Sequence, residues 1–250
     1  MQLLRGKAEE LRSKLGGRVS MARLLAVVAD VPCPSRCVAD LSHPVYGNID
    51  SFYNTRHEFL RTLLTQSLWL ELRAAGWKAR LAAEGATTFA HGDIDIRVTR
   101  SAIDISTLDY RVVLEIKGGK HMNINQCFRT LADEDVDAVV VMMAARGADG
   151  VFSITRNQAK GLLAYVADTY SKKMETLIEN SSELLDGPWC AGCQIQRCTY
   201  SRPARDHKLN FEREFVTTLP ALPEAIDKAT HVVLELLNET RVAKHDVGGT

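Results

Sequence analysis

The sequence predicts an α/β domain with a small central sheet, and three observations carry that prediction. "DIDIRV" at 93–98 and "VVLEIK" at 112–117 alternate with period two, as half-buried strands do. "DAVVVMMAA" at 137–145 is a continuous apolar run, the pattern of a strand covered on both faces. Stretches of helical periodicity stand before, between and after these segments, so helices flank the sheet.

Taken in order, residues 1–30 read as helical with a break at Gly16-Gly17. The stretch 31–48, "VPCPSRCVADLSHPVYGN", holds three prolines and a glycine and reads as turns. A long helix fits 49–76, its apolar stripe running through Tyr53, Leu60, Leu64 and Leu68, with Gly76 as its stop. The link 99–110 between the first two strands is too long for a tight hairpin and leaves room for further pairing. Helices are expected at 125–135, 155–180 and 223–244. The division expected is a helical segment 1–30, a main domain 31–200 and a helical tail 201–250.

A chain of 250 residues can bury a full core, and its 46% apolar and 25% charged residues are ordinary for a globular protein. No apolar run approaches the roughly eighteen residues of a membrane span. The apolar stretch "MARLLAVVAD" at 21–30 is short, internal and without a small-residue cleavage site. No secretory leader or membrane association is therefore expected, and the expected location is cytoplasmic. The 31 basic residues balance the 31 acidic ones, which argues against a protein that coats polyanions generally. A local basic patch does exist at Arg197, Arg202, Arg205, Lys208 and Arg213.

The strands carry unusual charge. Asp93 and Asp95 share one strand face, and Glu115 and Lys117 share another. Either these groups line a solvated face, or, if the two strands are neighbours, Asp95, Glu115 and Lys117 meet above the sheet. Carboxylates so placed are ligands for a hard divalent cation, and a lysine beside it would stabilise developing charge. His57 lies on the helix face of Leu60 and Leu64, either as a histidine at the edge of the core or as a metal ligand.

Six cysteines in a cytoplasmic chain point to metal before disulfides. Cys190, Cys193 and Cys198 stand at Cys-x2-Cys-x4-Cys, a thiolate-ligation spacing. A fourth ligand from the early pair, Cys33 or Cys37, would complete a site for zinc or an iron–sulfur cluster. Cys127 reads as a buried small apolar residue.

Cys-Pro-x-Arg at 33–36, a helix with His57, Gly-x-x-Asp at 92–95, Glu-x-Lys at 115–117 and three late cysteines follow one another in this order. Over about residues 31–200 the series resembles the CRISPR-associated iron–sulfur exonucleases, of the RecB-like branch of the PD-(D/E)xK nuclease superfamily. The resemblance implies a small central mixed sheet flanked by helices, with an iron–sulfur-bound cap built from the N- and C-terminal parts. His57, Asp95 and Glu115, with the Ile116 carbonyl, would hold magnesium or manganese. Lys117 would be the catalytic lysine, and Gln126 would touch the site. Cys33, Cys190, Cys193 and Cys198 would bind a 4Fe–4S cluster; Cys33 is followed by the proline of the family pattern.

The activity implied is metal-dependent exonuclease action on single-stranded DNA ends, in prespacer processing during CRISPR spacer acquisition, with the integrase proteins as partners. Three features depart from the pattern, one being that Cys37 competes with Cys33 for the fourth ligand place. The family's tyrosine four residues after the glutamine is Thr130 here, and the last cysteine spacing is shorter than usual. A non-catalytic DNA-binding adaptor and a zinc-ribbon protein are the competing readings.

Overall fold

The computed structural model of the chain describes residues 2–15, 24, 27–28, 33–42, 51–82, 93–99, 102–118, 125–132, 135–180, 182–187, 190, 193, 198–201 and 219–247. The chain forms two compact units, each made of two separate stretches. One comprises 1–48 and 160–208, the other 49–159 and 209–250.

The second unit holds a six-stranded mixed sheet. Its strands are β1 (Lys78–Leu81), β2 (Asp93–Val98), β3 (Ala102–Ser106), β4 (Arg111–Lys117), β5 (Ala138–Met143) and β6 (Val151–Thr155), and they lie in sequence order across the sheet. The β1–β2 and β4–β5 pairs are parallel and the other three antiparallel. The link 99–110 does pair along its length: it contains β3, whose Ile103 and Ile105 alternate with Asp104. β1 and β6 had weaker signals, being short edge strands with partly exposed residues.

Register separates the sheet into two faces. Ile94, Ile96, Ile103, Ile105, Leu114 and Ile116 fall on one face and are almost wholly buried. The long helix (Ser51–Ala74) lays Leu60, Leu64, Leu68 and Leu72 on this face, four residues apart and all buried. The C-terminal helix (Leu222–Val247) joins the same core through Ala225, Ala229, Val233 and Leu237. A hydrogen bond of 3.3 Å links Ser67 Oγ and Thr230 Oγ1 of these two helices. The C-terminal helix is thus part of the second unit's core, a role its position in a supposed tail did not suggest. A short helix (Asn125–Ala132) packs against β5 on the other face, so the apolar β5 is covered on both sides.

The long helix stops where the sequence placed its stop. Gly76 has φ +82°, and Trp77 N–H closes on the Leu72 carbonyl at 2.9 Å, a left-handed cap that glycine adopts without a Cβ penalty.

In the first unit, the N-terminal helix (Gln2–Lys14) buries Ala8 and Leu11, and a helix over Arg156–Glu179, which begins in the second unit, buries Leu163, Val166, Tyr170 and Met174. Lys14 Nζ donates to the Ile178 carbonyl at 3.1 Å, and Lys7 pairs with Glu175 at 3.0 Å. Part of the stretch read as turns is helical instead, Pro34–Ser42. Pro34 is its first residue, where a missing N–H removes no helical hydrogen bond. We number the helices in chain order: α1 (Gln2–Lys14), α2 (Pro34–Ser42), α3 (Ser51–Ala74), α4 (Asn125–Ala132), α5 (Arg156–Glu179) and α6 (Leu222–Val247).

Leu64→Ala should lower unfolding free energy by about 2–5 kcal/mol in urea titration, because the fully buried row leaves a cavity. Leu70→Ala, on the exposed side of α3, should shift it by about 0.5 kcal/mol or less.

Candidate functional site

The second face of the sheet carries the charges, and its register decides which of them meet. β3 lies between β2 and β4, so the two acid-bearing strands are not neighbours. Asp95 pairs with Ser106, and Ser106 with Arg111. Asp95 therefore shares a face with Glu115 but lies about 13 Å away along the strand and about 10 Å across the sheet. Its side chain is wholly buried and is held between Arg80 and Arg97. The expected convergence of Asp95 with Glu115 and Lys117 is not found. Asp93 has no described side chain, so its part in the pattern lies outside the described residues.

Directly across from Glu115 on β3 stands Ala102. The acid diagonal to Glu115 is Asp104, which the sequence reading passed over. Asp104 is buried and bound by both carboxylate oxygens to Arg111, at 3.0 Å from Nε and 2.9 Å from Nη2. The alternation of "AIDIS" and the nearby arginine were the signals for it. Such a bidentate buried pair is a structural clamp, costly to break by removing one partner.

At the end of β4 a smaller group does assemble. Lys117 Nζ lies 3.6 Å from Glu115 Oε2, and Thr130 Oγ1 donates to Glu115 Oε1 at 3.1 Å. Thr130 comes from α4, where the Gln126 carbonyl also accepts from its hydroxyl at 3.1 Å. Gln126 is thus one turn from Glu115's partner, on the same helix face. Thr130 was noted only as a replaced tyrosine; its place in helical period with Gln126 was the available signal. Ile116 turns its side chain into the core, so only its backbone can face the group.

His57 reaches this end of the sheet from the first turns of α3. It is buried, and its pKa is lowered from 6.5 to about 4, first by burial and then by the positive charges of Lys117, Arg56 and Arg61. Arg56 is buried beside it with its guanidinium close against Gly118, in the space that a Cβ there would occupy. A side chain at position 118 would have to displace the Arg56 guanidinium. Cys127 is fully buried as expected, and burial pushes its thiol up to about 12, which keeps it inert.

The late cysteines belong to the first unit, as does Cys33. Cys33 Sγ donates to the Glu183 carbonyl at 3.8 Å, and Cys190 Sγ to the Leu185 carbonyl at 3.6 Å. Two thiols separated by most of the chain thus converge on one short segment, 183–185. Cys193 N–H donates to the Cys190 carbonyl at 3.2 Å. Ser201 joins the remaining two: its hydroxyl donates to the Cys193 carbonyl at 2.8 Å and its N–H to the Cys198 carbonyl at 3.2 Å. Cys37 is buried one helical turn from Cys33, its N–H on the Cys33 carbonyl at 2.9 Å. Among the described residues, no three His, Cys, Asp or Glu side chains stand close enough to form a ready metal site. The basic patch from Arg197 to Arg213 lies outside the described residues. No helix among the described residues is long and apolar enough to cross a membrane.

Comparison with protein-family models, with curated proteins and with solved structures finds no match to this chain.

The His57 shift has a defined sign. Its folded pKa is depressed, so the unfolded chain takes up the proton first, and stability contributed by the neutral imidazole is lost as pH falls from 6.5 towards about 4. Urea midpoints should show wild type losing stability over that window relative to its value at pH 7. His57→Gln should lose less.

Proposed function

We propose that the chain is a divalent-metal-dependent nuclease acting on DNA, with its reacting centre at the C-terminal end of β4. One observation carries the reading. His57 of α3 and the Glu115–Lys117 pair of β4 come to the same end of the sheet, with His57 held neutral by burial and neighbouring cations.

The donors there fit a hard cation in a sparse way. Glu115 offers a carboxylate, His57 an imidazole in the protonation state a ligand requires, and Ile116 a backbone carbonyl. Magnesium commonly takes only one or two carboxylates, the remaining places going to water and substrate phosphate. When bound, such an ion lowers the pKa of a coordinated water and neutralises charge on a phosphoryl oxygen. Thr130 fixes the rotation of the Glu115 carboxylate through its 3.1 Å hydrogen bond. Lys117 supplies a fixed positive charge at the Glu115 carboxylate, placed to stabilise negative charge developing on a phosphate. Arg56, buried against Gly118, adds a second cation beside Lys117. In this arrangement Asp95 serves the sheet through Arg80 and Arg97, and the ligand role expected of it falls away.

In the same reading Cys33, Cys190, Cys193 and Cys198 hold a 4Fe–4S cluster that ties the early loop to the late one. Support comes from the 183–185 segment, whose carbonyls accept from Cys33 and Cys190, and from Ser201, which bonds the backbone carbonyls of Cys193 and Cys198. Single-stranded DNA ends are the substrate class and CRISPR integrase proteins the partners that this proposal carries, the sequence resemblance being their only support.

Ala102 favours a second reading. With an alanine opposite Glu115, the site has one carboxylate, as expected of a DNA-binding adaptor whose inherited site no longer cuts.

End-labelled single-stranded DNA with magnesium or manganese separates the two. Wild type should shorten it, and Lys117→Ala or Glu115→Ala should reduce the rate at least about 100-fold with the fold intact by circular dichroism. Binding without cutting by all three proteins would favour the adaptor. For the cysteines, anaerobically purified protein should be brown and contain iron and sulfide, and Cys193→Ser should bleach it. Colourless protein containing zinc would replace the cluster with a zinc site.

A further inference from the structure

The opposite end of α3 carries a concavity that the proposed chemistry does not use. Around the Gly76 cap lies an open cleft of about 440 Å³, lined by Arg73, Gly76, Trp77, Lys78, Ala79 and Arg80. Three of the six are cations, one is an indole and none is a carboxylate. Asp95, wholly buried, pairs with Arg80 through its Nε and partly offsets that charge, leaving Arg73 and Lys78 as the cleft's cations with no carboxylate in the lining. That contact fixes the arginine while leaving its side chain 40% exposed. Arg73 is likewise ordered, its guanidinium 4.9 Å from the Trp69 ring centroid. Lys78 is exposed on the edge strand β1. At Gly76 a Cβ would meet nothing within 4 Å, so the floor of the cleft is open.

Fixed cations around a half-buried indole make the chemistry of a single-stranded nucleic acid site. The cations follow phosphates, and the ring offers a face to an unstacked base. A duplex keeps its base faces covered and would use only the charges. A free nucleotide would satisfy the indole but not the separated cations.

We propose that the cleft of Arg73, Trp77, Lys78 and Arg80 binds single-stranded nucleic acid away from the reacting end. The proposal deepens the nuclease reading, since it gives the strand whose end reaches Glu115 a second anchor. Sixteen helical residues separate His57 from Arg73, a distance of about 24 Å at 1.5 Å per residue. That is about seven nucleotides at the stacked spacing of ~3.4 Å, and fewer for an extended strand.

The test is fluorescence anisotropy of labelled oligothymidylates, in the full-length Lys117→Ala background so that no strand is cut. Arg73→Ala/Lys78→Ala should weaken binding of a strand of about twelve nucleotides by tenfold or more. It should also flatten the slope of log affinity against log salt by about 1.4, the release expected of two phosphate contacts on a single strand. A strand of about four nucleotides or thymidine monophosphate should bind more weakly than the long strand to the parent. An unchanged salt slope in the double variant would overturn the proposal, as would equal weakening of single strand and duplex. Absence of binding to any nucleic acid would overturn it too.

Cleavage by the wild-type chain reports on the other reading separately. If wild type cuts and the double variant binds normally, the nuclease stands and the cleft falls. If wild type never cuts yet the slope changes as expected, the cleft stands and the nuclease falls.

Discussion

The second unit depends on one packing constraint: the leucine row of α3 must lie along the apolar face of the sheet. Leu60, Leu64, Leu68 and Leu72 leave α3 no other face to bury, and Ala225 and Ala229 let α6 approach the same core. With the axis of α3 fixed, its two ends are fixed as well. The N-terminal turns bring His57 and Arg56 to the end of β4, and the C-terminal turn sets Arg73 and the Gly76 cap beside β1. Both polar sites described for this unit are therefore consequences of a hydrophobic choice. Residues that never touch a phosphate would determine where the strand could lie.

The charged face of the sheet is organised by pairing. Burial of a carboxylate without a partner is costly, and each buried acid here has an arginine at a neighbouring register position. Arg80 and Arg97 serve Asp95, and Arg111 serves Asp104. Glu115 differs. Its partners are an ammonium at 3.6 Å and a hydroxyl, and the residue across from it is an alanine. A carboxylate with one looser ion pair and an alanine across from it is more available for chemistry than one clamped by a guanidinium. This contrast separates the structural acids of the sheet from the functional candidate better than sequence spacing does.

Much of the fold was legible because its signals are local. Alternation in "DIDIRV" and "VVLEIK", the apolar run of β5, the leucine spacing of α3 and the Gly76 stop each declare themselves within one element. Pairing order is not local. The link 99–110 showed room for pairing but not where its strand would stand, and β3 lies between β2 and β4, so Asp95 and Glu115 are not on neighbouring strands. Pro34 misled in the same way: proline breaks a helix in the middle but is welcome at its first residue, and the sequence does not mark which it is. Of the candidate site, Glu115, Lys117 and His57 were readable from face and spacing. Thr130, Arg56 and the open position at Ala102 required knowing which strand and helix stand opposite.

The cysteines show the converse, where long-range chemistry is more legible than local structure. Cys190, Cys193 and Cys198 have the spacing of thiolate ligands, and a fourth ligand for the proposed cluster would come from far away in the chain. One short segment meets both stretches: its Glu183 and Leu185 carbonyls accept from Cys33 and Cys190 in turn. The Cys33 and Cys190 thiols are each held by a weak sulfur hydrogen bond, which a stronger ligand can displace without breaking a ladder or a helix. Ser201 acts on backbone carbonyls and leaves the Cys193 and Cys198 sulfurs to other partners. Binding of a metal or cluster would then close the first unit's two stretches together, so its stability should be tied to that ligand as the second unit's is tied to its leucine row.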